Sequence, residues 1–263
     1  VKNVSLYLGL VAVLVTAAAG CNKKRRTPTV QTAPPAAPLA TLNLATAGSI
    51  SGTVRLDGTP PVFRPINMSA EPDCAKAHPK PLMPEEVVTG ADGALANVVV
   101  YVKSSDLQKY RFPTPAQPVL LDQRGCMYVP HIVTLMTNQP LEVRNLDQTT
   151  HNVHALPVDN PEWNESQPIG APPIKQRFAV PENAIPLQCN VHPWMKAYVF
   201  VFANPYFAVT AKDGKFEIDN LPPGTYTVEA WQEKYGVEDQ PITLAPKESK
   251  EVSFTFKAAT TPE

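Results

Sequence analysis

The densest chemistry in the chain is Gln188-Cys189-Asn190-Val191-His192-Pro193-Trp194-Met195, where a thiol, an imidazole and a thioether follow one another as C-x2-H-x2-M. A soft thiolate joined to imidazoles and a weakly held thioether suits copper cycling between Cu(I) and Cu(II). A short loop between two strands lets all three side chains converge on one point. A fourth ligand has to come from another segment. Asp147-Gln148-Thr149-Thr150-His151-Asn152-Val153-His154 offers one just past the strand-like run Leu141 to Asn145. The chain shows no Ser-His-Asp order, paired-carboxylate motif, phosphate loop or dinucleotide fingerprint.

Composition sets the frame for these residues. The formal net charge of −1 on 263 residues leaves no basic surplus, so no nucleic-acid partner is expected. Thirty prolines spread along the chain break helices and suit turns and edge strands, which favours an all-β body. Near the start, Lys2 precedes an apolar run from Val4 to Ala19 that ends in Ala18-Ala19-Gly20-Cys21. A charged start, an apolar centre and small residues before a cut site describe a secretory signal over residues 1–20. Small residues directly before a cysteine resemble the lipobox of bacterial lipoproteins, which implies acylation of Cys21. The alternative is an uncleaved anchor, supported by the basic cluster Lys23-Lys24-Arg25-Arg26. That apolar run is shorter than the roughly 20 residues that span a bilayer. Residues 21–46, rich in Pro, Ala and Thr, read as a semi-rigid tether. The expected location is the bacterial cell envelope, periplasmic or otherwise extracytoplasmic, with the membrane as a partner through a lipid on Cys21.

The body reads as strands. Ile50 to Leu56 alternates and is closed by Asp57-Gly58 and Pro60-Pro61. Asn97 to Val102 is a compact β-branched run. Ile132 to Met136, Leu141 to Asn145, Gln176 to Val180 and Ala197 to Phe202 are further strands, and residues 156–173 read as a long loop. No long amphipathic helix is expected. Towards the end, Phe207 to Ala211 leads to the hairpin signal Asp213-Gly214, then Phe216-Glu217-Ile218, Leu221-Pro222-Pro223-Gly224 and the alternating Tyr226 to Trp231.

The D-G-x-F, L-P-P-G and Y-x-V pattern over 207–257 resembles the carboxypeptidase regulatory-like (transthyretin-like) β-sandwich. That family opens on a strand like Gly52-Thr53-Val54, followed by one like Asn97 to Val102, and here both precede the metal motif. The resemblance implies a discontinuous sandwich, 47–115 plus 204–258, interrupted by a module at 116–203. It implies a structural or attachment role and no chemistry.

The inserted segment resembles the cupredoxins, most closely the amicyanin type, through H-N-V-H at His151 to His154 and the ligand loop from Cys189 to Met195. The implied fold is a Greek-key β-sandwich holding one mononuclear type 1 copper. His151, Cys189 and His192 would be its trigonal ligands and Met195 the weak axial one. Asn152 matches the residue whose backbone N–H donates to the copper-bound sulfur. The second histidine of the motif, His154, is usually not a ligand in that family. His192 would present its ring edge at an apolar surface beside Pro193 and Trp194, where a redox partner docks.

With Cys21 lipidated and Cys189 on copper, Cys74 and Cys126 remain as one pair, which in an oxidising compartment reads as a disulfide. Asp73-Cys74-Ala75-Lys76-Ala77-His78 and Cys126-Met127-Tyr128-Val129-Pro130-His131 leave a second reading open, a Cys74/His78/Cys126/His131 metal site. Amicyanin-type proteins lack these cysteines. The expected function is extracytoplasmic single-electron transfer between redox partner proteins and not enzymatic catalysis. Envelope copper delivery, and a surface adhesion or scaffold role, are the alternatives.

Overall fold

The computed structural model describes residues 40–258. The expected signal peptide, Cys21 and most of the 21–46 tether lie outside these residues. The chain is all-β. In order it forms β1 (Gly48–Asp57), α1 (Pro72–Ala77), β2 (Val99–Lys103), β3 (Val119–Gln123), β4 (Tyr128–Val129), β5 (Ile132–Met136), β6 (Leu141–Asn145), β7 (His151–Ala155), β8 (Trp163–Gln167) and β9 (Ile174–Gln176). Then come β10 (Glu182–Gln188), β11 (Lys196–Phe202), β12 (Phe207–Val209), β13 (Lys215–Leu221), β14 (Gly224–Gln232), β15 (Gly236–Leu244), β16 (Ser249–Glu251) and β17 (Phe254–Lys257).

Four sheets result. One runs β13-β1-β16 with β17 also on β1, and a second runs β12-β2-β14-β15. The third runs β5-β11-β10-β7-β8 and the fourth β4-β3-β6-β9. Strand periodicity explains how they pair into two cores, because alternate residues face opposite sides. The first two sheets bury Ile50, Val54, Val100, Phe216, Val228 and Phe254 in one core. The other two bury Leu121, Leu135, Val143, Val153, Leu187 and Val199 in another.

β2 and β11 are buried on both faces, which is why each is a continuous apolar run instead of an alternating one. Val98, Val100 and Val102 face the first core, whereas Val99 and Tyr101 join Ile132, Phe200 and Phe202 in a third cluster. Val199 and Val201 face the second core from the same strand as Phe200 and Phe202. Trp231 closes this aromatic seam, its ring 4.9 Å from that of Phe200.

Several local expectations are corrected. Gln176 to Val180 is not a strand beyond Gln176, where β9 ends. The N–H groups of Ala179 and Val180 donate instead to Oδ1 of Asn160, at 2.9 and 3.1 Å. The long loop 156–173 contains β8, an edge strand on β7 whose middle residues are polar and exposed, so it lacks an apolar signature. Asp213-Gly214 does turn the chain, with Gly214 N–H donating to Ala211 at 2.9 Å. It is not a hairpin, however, because β12 pairs with β2 and β13 with β1, so the turn carries the chain between sheets. Gly214 has φ +70°, and a Cβ there would lie 2.4 Å from the Val54 carbonyl oxygen. Met68 and Cys74, from the segment before β2, pack in the second core.

Candidate metal centre

Two elements carry the centre. β10 and β11 pair antiparallel with Gln188 opposite Lys196, so residues 189–195 form the closed loop between them. Inside it Cys189 N–H donates to the Met195 carbonyl at 3.3 Å and Met195 N–H to that of His192 at 2.9 Å. These bonds fold Cys189, His192 and Met195 onto one side, and all three are buried. The partner strand β7 lies beside β10 through the Gln188–His154 and Leu187–Ala155 pairs. His151 sits at its start, on the face that also turns Val153 and Ala155 into the core.

One ligand atom from each of His151, Cys189 and His192 lies within 4.8 Å of the other two. The Nδ1 atoms of His151 and His192 face each other at 2.9 Å, and Cys189 Sγ is 3.7 Å from Nδ1 of His192. Met195 is fully buried on the same loop, in the same core cluster. Asn152 ties the two segments together: its Oδ1 accepts from Asn190 N–H at 2.7 Å and lies 3.4 Å from Cys189 Sγ. Tyr128 Oη donates to the Asn152 carbonyl at 2.6 Å and steadies β7 from beneath. His154 points away, with Nε2 2.7 Å from Glu162.

The surroundings of Cys189 lower the pKa of its thiol. Burial alone would push the Cys189 thiol up. Hydrogen bonds from His151 and from the backbone N–H groups of Asn152, His192 and Val191 outweigh it and hold the thiol below its ordinary range. Burial pulls the His151 pKa down, but Asp147 and Cys189 reverse the sign and raise it. His192 is lowered by burial and by the neighbouring His151.

Asp147 is a residue the sequence reading passed over as a candidate. Its Oδ2 is 2.9 Å from Nε2 of His151, and its carboxylate accepts from the N–H groups of Gly125 and Cys126 at 2.6 and 2.8 Å. Burial alone would raise its pKa, yet His151 and those two N–H groups lower it. The signal that could have found it is the four-residue spacing to His151. Glu71 is the other such residue, its Oε2 3.8 Å from Nε2 of His192, and no local pattern announces it.

Cys74 and Cys126 are joined as a disulfide. The four residues of the alternative second site do not converge. His78 Nε2 bonds the Gly125 carbonyl at 2.6 Å, while His131 uses its two ring nitrogens on the Lys196 carbonyl and the Glu233 carboxylate. The expected surface edge of His192 is also corrected, because the ring is 0 % exposed. Residues 66–82, closed by Ile66 N–H to Leu82 O at 2.8 Å, cross over it with α1 and Cys74. Cys74 Sγ lies 3.6 Å from His192 Nε2. Trp194 is half-buried, its ring 5.3 Å from that of His192 and its Nε1 donating to the Cys126 carbonyl at 3.0 Å; Pro193 is exposed.

The chain carries a carboxypeptidase regulatory-like domain by family model over residues 192–257, from the ligand loop to β17. No curated protein matches it. Among solved structures it is similar to a Cu-containing nitrite reductase (NirK) from Thermus scotoductus SA-01, at 19 % identity and a TM-score of 0.30, covering 39 % of this chain and 25 % of that one. It is also similar to an amicyanin mutant in the Cu(I) state, at 17 % identity and a TM-score of 0.28, covering 32 % of this chain and 81 % of that one. A purple cupredoxin from Nitrosopumilus maritimus aligns at 20 % identity and a TM-score of 0.25, covering 28 % of this chain and 81 % of that one. The chain thus spans a quarter of the nitrite reductase's length.

Proposed function

We propose that this protein is an extracytoplasmic electron carrier with one mononuclear copper held by His151, Cys189, His192 and Met195, and that it is not an enzyme. The observation that carries the reading is the convergence of two Nδ1 atoms and one thiol sulfur, all buried, beside a buried methionine. Two imidazoles and a thiolate are the donors that copper prefers, and the pair of facing Nδ1 atoms is the arrangement a shared ion would replace. Copper in such a site supplies a reversible one-electron couple. The chain's own residues keep the donors in place, exclude water and lower the thiol pKa.

The same reading treats 116–203 as a cupredoxin-type module set within a sandwich of 47–115 and 204–258, with the 66–82 strap lent to the module. The two separate cores support it. A redox partner docks beside Trp194 and Pro193, because the strap closes the direct way to His192 and Trp194 is the next ring outward. A lipid on Cys21 holds the protein at the membrane.

Copper titration of a soluble fragment starting near Gly48, followed by optical and electron-paramagnetic spectroscopy, tests the proposal. One equivalent bound with an intense thiolate-to-copper band, and reversible voltammetry without metal loss, is the expected result. Absence of copper binding would leave a scaffold role, and release of copper on reduction would turn the reading towards delivery.

A further inference from the structure

The Cys74–Cys126 disulfide lies against the nitrogen of His192 that faces away from Cys189. Cys74 Sγ is 3.6 Å and Glu71 Oε2 3.8 Å from Nε2 of His192. Cys74, Cys126 and His192, all buried, each place one ligand atom within 4.8 Å of the other two. The other ring nitrogen, Nδ1, is turned to His151 and Cys189. One imidazole therefore stands between two donor sets, each containing cysteine sulfur. A crosslink that only closed a loop would need no imidazole at its sulfurs.

We propose that Cys74 and Cys126 form a redox-operated second metal site, closed as a disulfide and opened by a dithiol to bind a thiophilic d10 ion such as zinc. The ligands are the two thiolates and Nε2 of His192, a Cys2His set that leaves the fourth position of tetrahedral zinc to an oxygen donor. In the opening step the S–S bond breaks. The dithiol supplies two electrons and two protons and becomes a disulfide itself, leaving Cys74 and Cys126 as thiols. The ion then displaces those two protons and binds both sulfurs, while Nε2 of His192 gives its lone pair and the ring's proton stands on Nδ1 or, with copper there, leaves as a third proton.

Access comes from the strap. α1 has six residues and no side-chain bond at its N-cap, and Pro72, Asp73, Ala75, Lys76 and Ala77 on it are exposed. A short element with few anchors opens locally at lower cost than the sandwich beneath it. Outside α1, the strap is held by Met68 in the core, by Ile66 and Leu82 packed against it, and by the His78–Gly125 hydrogen bond.

The test uses Cys189→Ser, which removes the thiolate of the first centre, and the Cys74→Ser/Cys126→Ser background separates any uptake by its remaining histidines. The protein is reduced with a dithiol, desalted without oxygen and titrated with Zn2+, and with Co2+ as a spectroscopic probe. The expected result is one equivalent bound only after reduction, with thiolate-to-cobalt absorption, loss of that uptake in a Cys74→Ser/Cys126→Ser background, and affinity lower by about 10-fold or more in His192→Ala. Near-UV circular dichroism of the reduced protein should stay native. Uptake equal before and after reduction, uptake unaffected by His192→Ala, or collapse of the native spectrum on reduction would each overturn the proposal. The first centre is judged separately, on oxidised protein retaining Cys189, so failure of one reading leaves the other standing.

Discussion

Oδ2 of Asp147 lies 2.9 Å from Nε2 of His151, and the same carboxylate is anchored by the N–H groups of Gly125 and Cys126. A carboxylate behind an imidazole fixes the ring's tautomer and orientation, here turning Nδ1 towards His192 and Cys189. Asp147→Asn keeps the shape but loses the charge and one acceptor. Copper affinity should fall by about 10–100-fold, measured by competition with a chelator. An unchanged affinity would mean that β7 alone orients the ring.

Met195→Leu preserves buried volume while removing the thioether. The variant should retain copper and its visible band, with a shifted reduction potential, because an axial methionine bond is long and weak. Voltammetry checks the shift. Cys189→Ser should abolish the band, since the remaining cysteines in the described residues are held in a disulfide.

His131 is buried, and burial by itself pulls its pKa down. The hydrogen bond and charge of Glu233, the charge of Glu85 and the Lys196 carbonyl outweigh that and raise it. A folded pKa above the unfolded value of about 6.5 means that protonated His131 contributes stability fully present below that pH. The contribution is lost as pH rises through the higher folded value. Melting temperature should therefore fall across that interval, and Glu233→Gln should flatten this part of the profile. A wild-type curve of the same shape as the variant's would sink the assignment.

Phe200 is fully buried in the aromatic seam, between Phe202 and Trp231. Phe200→Ala should cost about 3–5 kcal/mol in denaturant unfolding, as expected for a large buried aromatic whose site cannot collapse. A cost below about 1 kcal/mol would mean that the seam is loosely packed.

The residues that could bind metal were legible because their geometry is local. Seven residues from Cys189 to Met195 close between paired strands, and His151 follows β6 after a short turn. Strand runs such as Val99–Lys103 and Lys196–Phe202 were equally plain, being β-branched and aromatic apart from Lys103, Lys196 and Ala197. What the chain does around His192 was not legible. Cys74 is 118 residues away from it in sequence, and Glu71 further still. Their approach depends on the strap 66–82 packing on the second core, a matter of how Met68 and Cys74 fill it. Likewise Asp147 gains its role from the backbone of Gly125 and Cys126, which reach it only once β3 and β6 lie side by side. Local spacing thus determined which donors could meet, whereas packing between distant segments decided that the outer edge of His192 is buried beneath a disulfide.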